Sequence, residues 1–281
     1  MVLNFVFAVV EIIAGVFSNS LVLVAEALHD ATDVFALGIA FVASRKAQKL
    51  PNKQNTFGFA RATVIASVIT SAMLVVGAIF IFFKAFERLM DPQPVDAGLV
   101  LVVALLGFFV NGFVALKVLR NKKDLNIKTL VLHMAEDALG WAAVFVSAAI
   151  ILFTGFTLID PLLTFVVGLI VFWSALRVLK EGVDVLMEGV PENLEVDKIK
   201  EALSQIKGVV RVHDLHVWSI SSGFSVLTCH LGVQNIYVAK AQEISLSAKN
   251  LMKKKFDIIH STIELECVDC EIIDGELVCK I

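Results

Sequence analysis

Charge is scarce in this 281-residue chain. Asp, Glu, Lys and Arg together make up 18% of it, against roughly 25% in soluble domains. With 58% hydrophobic residues and a mean hydropathy of +0.83, the shortfall points to membrane spans before any motif is read. Other absences narrow the function. No dense basic patch exists, which argues against nucleic acid as a partner. There is no Walker motif and no phosphorylation-type aspartate signature, so ATP is not the energy source. No HExxH occurs, which removes the usual zinc-hydrolase arrangement. Cysteine is missing until Cys229, and Cys229, Cys267, Cys270 and Cys279 all fall in the last 53 residues. In a reducing cytosol these are candidate metal ligands or plain core residues. No basic n-region precedes the first apolar run, so no signal peptide is expected.

What is present divides in two. Residues 1–180 hold nearly all the long apolar runs and carry a net charge of +3, whereas 181–281 read like a soluble domain and carry −6. The first part is expected to be a six-helix transmembrane domain and the second a cytoplasmic domain. Segments of about 20 apolar residues fall at 2–18, 21–44, 62–89, 95–118, 129–154 and 159–179. The first is short and begins almost at Met1, as if an N-terminal arm were abbreviated. Asp160 is expected to cap the sixth helix, with Pro161 at its first position. Arg45, Lys46, Lys49, Lys53 and Arg61 lie in one loop, and Lys117, Arg120, Lys122, Lys123 and Lys128 in another. The opposite side offers only Lys84 and Arg88. The positive-inside rule puts the basic loops, both termini and the soluble domain in the cytoplasm.

The soluble part reads helix–strand–strand–helix–strand: "EVDKIKEALSQI", "GVVRVHDLHVWSI", "FSVLTCHLGV", "YVAKAQEISLSAKNLMKKKF" and "HSTIELEC". That order predicts a split βαβ, ferredoxin-like α/β domain with one strand missing or short.

The chemistry starts in the second span. In "ALHDATDV", His29 and Asp33 are spaced i, i+4 and share one helix face. The fifth span repeats the spacing with His133 and Asp137 in "LVLHMAEDALG". Ionisable groups within a bilayer cost a few kcal/mol each by insertion scales and are usually functional. Two such helices side by side offer two imidazoles and two carboxylates, a tetrahedral set suited to Zn²⁺. A structural polar network is the alternative, but one network would suffice and would not need the same spacing twice. Asp30 points some 100° away from His29 and reads as a helix or loop contact. Glu136 reads as an outer ligand or as a cavity-wall or proton-relay carboxylate, and Asn111 as a hydrogen-bond partner for a ligand carboxylate. Glu11 and Glu26 are each expected to face water or a partner helix.

In the soluble part, His213 and His230 sit on the two strands of one hairpin and could meet across it. Strand alternation sets His213 and His216 on opposite faces and puts Glu264 and Glu266 on one face. Cys267 and Cys270 form a CxxC without a second pair, a weak basis for a closed site.

Taken together, "SNSLVLVAEALHDATD", "NTFGFARATVIAS", "LVLHMAEDALG", "DPLLTFVVGLIVFWSALRVLKEGVDVLMEGVP" and "VVRVHDLHVWSISSG" make the chain resemble the cation diffusion facilitator family over essentially its whole length. The resemblance is to the zinc-transporter branch that includes the bacterial cobalt–zinc–cadmium resistance exporters. It implies a secondary active transporter of the cell (inner) membrane, exporting Zn²⁺ in exchange for protons. His29, Asp33, His133 and Asp137 are its transport site. His29 implies a zinc preference over broader efflux of Cd²⁺ or Co²⁺. It further implies a homodimer and a regulatory zinc at His213, His230 and Glu266. Cys267 and Cys270 resemble a cysteine pair near the end of some vertebrate zinc transporters. Glu136 and Trp141 depart from the family by standing where small residues are usual. A membrane zinc hydrolase fits less well, since four protein ligands leave no position for water. A metal sensor anchored by six spans would have no use for ligands buried in them.

Overall fold

The computed structural model describes residues 2–120, 127–268, 270–273 and 276–279, with side chains from residue 5 except 111–136, 139 and those past 268. Each long apolar run forms a helix: α1 (Val2–Ser18), α2 (Leu21–Ala47), α3 (Arg61–Met90), α4 (Ala97–Arg120), α5 (Ile127–Thr154) and α6 (Ile159–Leu186). The remainder forms α7 (Val196–Ser204), β1 (Val209–Ser221), β2 (Phe224–Val233), α8 (Val238–Phe256), β3 (Ile258–Cys267) and a hairpin of β4 (Cys270–Ile273) and β5 (Glu276–Cys279). Two compact units result, one of residues 1–43 and 66–179, the other of 44–65 and 180–281.

In the first unit, α3 and α6 are long and apolar enough to cross a membrane, with mean hydropathies of 2.6 and 2.2. They meet where Phe82 packs on Phe165 and Phe172 at ring separations of 5.1 and 5.8 Å. Their outer faces leave Phe83 72%, Phe86 64% and Trp173 66% exposed, an apolar surface unsuited to water and suited to lipid. A separate core draws Ala14 from α1, Val22 and Leu23 from α2, Val103 and Ala104 from α4, and Trp141 and Val144 from α5. Burying each of the larger side chains contributes about 1.5–3 kcal/mol.

The turn between α1 and α2 is made by Asn19 at φ 55°, the left-handed region that asparagine tolerates better than most residues. Here one expectation is corrected. Asp160 does not cap α6, which already begins at Ile159. Its carboxylate turns to α2 instead, accepting hydrogen bonds from Ser20 Oγ at 2.6 Å, Leu21 N at 2.7 Å and Val22 N at 3.5 Å. The physical reason is burial. Asp160 is only 1% exposed, and the free amides at the start of α2 need an acceptor that water cannot reach to supply. Arg88 completes the knot by donating to Asn19 O at 2.6 Å and Asn19 Oδ1 at 2.9 Å.

In the second unit, β2 is central, antiparallel to β1 and parallel to β3. A split βαβ would hold a strand between the parallel pair. Here β2 and β3 are hydrogen-bonded neighbours from Ser225 to Val233, with no strand between them. Ile199, Leu203, Leu227, Leu231, Met252 and Ile258 form a core between the sheet and its two helices. The opposite face carries polar side chains around His213 and His230, while Trp218 pairs with the buried Val226 further along. The β4–β5 hairpin lies beyond the last strand expected from the sequence.

Candidate metal centres

Helix spacing and helix packing together build the first centre. One turn of α2 brings His29 and Asp33 together, with Nε2 3.8 Å from Oδ2. Across from them α5 delivers Asp137, whose Oδ1 lies 3.5 Å from His29 Nε2. The three residues offer ligand atoms all within 4.8 Å of one another. Zinc–ligand bonds of 2.0–2.1 Å in a tetrahedron put ligand atoms roughly 3.3 Å apart, so these separations suit groups that share an ion. His29 is 9% exposed, which removes most competition from water. His133 falls on α5 one turn before Asp137, and its side chain lies outside the described residues, as do those of Glu136 and Asn111.

Two close approaches hold α5 in place. A Cβ added at Gly140 would collide with the Glu26 carboxylate, and one added at Gly107 would collide with the Trp141 ring. Glycine at 107 is thus what allows the bulky Trp141, 1% exposed, to fill the interior. Glu11 and Glu26 are both buried against neighbouring helices, and Glu11 stands beside Asp30 and Glu26. Asp30 therefore belongs with these acids and not with the three-residue set. A cavity of about 660 Å³ reaches Glu26, His29 and Thr32 on α2 between walls that include Met73 on α3 and Gly168 on α6.

The second centre sits on the polar face of the sheet. His213 and His230 are directly paired across β1 and β2, with ring centroids 5.3 Å apart. Glu266 on β3 reaches both, Oε2 lying 2.8 Å from His213 Nε2 and Oε1 2.8 Å from His230 Nδ1. Burial would raise the Glu266 carboxyl, but hydrogen bonds from His230 and His213 outweigh it and hold Glu266 below the usual value. His213 Nε2 is buried, with the Glu266 carboxylate 2.8 Å from it. A nitrogen in that state, beside an imidazole and a carboxylate, fits a zinc ion.

Strict alternation fails at this point of β1. Val212, Leu215 and Val217 all face the core, so a register shift between His213 and His216 turns three side chains outward: His213, Asp214 and His216. The expectation that His213 and His216 point oppositely is corrected by that bulge. Asp214 takes φ 47° and contacts both His216 and His230. The His216 hydrogen bond, the largest influence, together with the charges of the neighbouring histidines, holds its carboxyl low against the opposing effect of burial. Nothing periodic in the sequence marks this residue.

The cysteines stand apart from this set. Cys267 is disulfide-bonded, which takes its sulfur out of the thiolate form that binds metal. The side chains of Cys270 and Cys279 lie outside the described residues. Cys229 is buried in the core, and that burial pushes its thiol up to about 11.

Ligands converging from apolar helices, joined in one chain to a small α/β unit with its own metal-suited cluster, define a metal-ion transporter and not an enzyme. The chain belongs to the cation efflux family. The cation efflux transmembrane domain matches residues 1–187, and the cytoplasmic domain of cation efflux proteins matches residues 191–267. It is 32% identical to the cadmium, cobalt and zinc/H(+)-K(+) antiporter of Bacillus subtilis, covering 98% of this chain and 89% of that protein. It is 34% identical to the metal cation efflux system protein CzcD of Cupriavidus metallidurans, with coverages of 96% and 85%. The zinc transporter ZitB of Escherichia coli is also 34% identical, with coverages of 96% and 87%.

Proposed function

We propose that this chain exports Zn²⁺ from the cytoplasm in exchange for protons, binding the ion between α2 and α5 through His29, Asp33, His133 and Asp137. The observation that carries the proposal is the meeting of His29, Asp33 and Asp137 within 4.8 Å, in helices whose sequences repeat the same His–Asp spacing. Zinc binds neutral imidazole and ionised carboxylate, and an imidazole ordinarily titrates near pH 6.5. Metal and protons therefore compete for the same atoms. Protons arriving from outside displace the ion, and zinc arriving from inside displaces protons. Alternating access needs only that helices rock about a site near the middle of the bilayer.

In this reading α1 to α6 all span the membrane, and both termini and the second unit are cytoplasmic. That unit is a ferredoxin-like domain lacking its dividing strand. It joins two copies into a homodimer and holds a regulatory zinc at His213, His230 and Glu266. Names of relatives that include cadmium and cobalt support a second, broader cargo range. Reconstitution in proteoliposomes tests the proposal, with an interior pH dye and a series of Zn²⁺, Cd²⁺ and Co²⁺ salts. Zinc-dependent proton movement is expected, and its absence counts against antiport. His29→Asp should widen the range of ions carried, as expected if His29 favours zinc.

A further inference from the structure

We propose that the cavity between α2, α3 and α6 is a binding site for a lipophilic amine, whose ammonium pairs with Glu26 and whose hydrocarbon body fills the hollow. This ligand is distinct from the transported ion. Only its competition with zinc rests on the reading of His29 as a zinc ligand.

The cavity measures about 660 Å³, within the roughly 300–1,000 Å³ usual for small-molecule sites. Its walls are hydrocarbon: Leu28 on α2, Met73 and Ile81 on α3, Val167 and Val171 on α6. Three polar residues interrupt them, Glu26, His29 and Thr32. Two are already engaged. Thr32 Oγ1 donates to Leu28 O at 2.8 Å, and His29 Nε2 lies 3.8 and 3.5 Å from the Asp33 and Asp137 carboxylates. Glu26 is different. It is 3% exposed, and its Oε1 is buried without a hydrogen-bond partner among the described residues. A carboxylate in that state is costly unless a cation meets it.

The lining selects among occupants. No Lys or Arg is among the described residues that form it, so an anion would meet only the repulsion of Glu26. A bare lipid chain would suit the walls but leave Glu26 unpaired. A metal ion takes several ligands, and beyond His29 it would find one carboxylate and otherwise hydrocarbon. An ammonium on an apolar body answers both features, through a charge-assisted hydrogen bond and burial of its hydrocarbon. Because His29 borders the same space, the occupant and a zinc ion exclude one another. Gly77 supplies room: it lines the cavity, and a Cβ added there meets no neighbour within 4 Å.

The experiment uses the full chain in lipid nanodiscs, with tritiated adamantylamine as the probe and empty nanodiscs as the background. Saturable binding is expected. Adamantanol and adamantane carboxylate carry the same body with a neutral or an anionic head, and should compete far less well than unlabelled adamantylamine. Glu26→Gln removes the charge and should weaken binding about tenfold or more, as for loss of a hydrogen bond to a charged group. Gly77→Leu leaves Glu26 in place but fills the hollow, and should weaken binding similarly. The proposal is overturned by an absence of saturable binding, by equal competition from adamantanol, or by either variant binding as the wild type does. If Glu26→Gln fails to fold, Gly77→Leu and the three head groups decide the matter. Zn²⁺ should displace the probe from the wild type but not from a chain carrying Asp33→Ala and Asp137→Ala. A wild type that binds the probe in this pattern yet holds it against zinc keeps the amine site and loses the zinc reading of His29, so the two failures are distinct.

Discussion

His29 Nε2 and Asp137 Oδ1 lie 3.5 Å apart, although they belong to different helices far apart in sequence. Neither residue could justify its place in an apolar helix alone. Asp33→Ala or Asp137→Ala should therefore remove most zinc flux in proteoliposomes while the protein still purifies as a folded species. Normal transport by Asp137→Ala would show that the ion is held elsewhere.

Gly140 faces the Glu26 carboxylate with no room for a methyl group. Gly140→Ala must push α5 away from α2 or displace Glu26, and either disturbs the Asp137 approach to His29. Overpacking of this kind typically costs 1–3 kcal/mol. Lower melting temperature and reduced zinc affinity are expected together. An unchanged affinity would mean that α2 and α5 are free to separate without loss.

Asp160 receives three hydrogen bonds from the start of α2. Asp160→Ala should destabilise the protein more than loss of an ordinary helix cap, which costs about 1 kcal/mol, because buried amides are left unpaired. Thermal unfolding in detergent measures this. Asp160→Asn should recover part of the loss, since its amide oxygen still accepts.

Cys229 has a thiol raised from 9.0 to about 11 by burial. A group whose folded value is raised lends stability that is full below its unfolded value and lost as pH rises toward the folded one. Stability of the wild type should thus fall between pH 9 and 11 more than that of Cys229→Val. Peptide mapping after alkylation offers a second check: Cys229 should stay unlabelled at pH 9 unless the protein is unfolded. Rapid labelling there would contradict its burial.

The sequence made some of this legible because periodicity reports on faces. The i, i+4 spacing of His29 with Asp33 predicted a shared face, and the apolar runs predicted the helices within three residues, except that α6 runs on to Leu186. The pairing of His213 with His230 followed from their places in a hairpin. What stayed hidden depends on contacts between distant segments or on breaks in period. Asp160 looked like a cap for its own helix, as its neighbour Pro161 suggests, because nothing local reveals that α2 lies within reach. Asp214 went unnoticed because a bulge adds one residue to a strand without any change in composition. The direct pairing of β2 with β3 is a property of the whole sheet that no single segment reveals.

The cap on α2 also bears on how the chain is made. Asp160 follows Ser20 by 140 residues, so it leaves the ribosome long after the first hairpin has been made. Until the sixth helix arrives, the leading amides of α2 must find other acceptors, and the paired ends of α1 and α2 are provisional. Completion of the N-terminal hairpin is in this sense a late event in biogenesis, and truncated chains that stop before α6 should hold it less firmly than the full protein does.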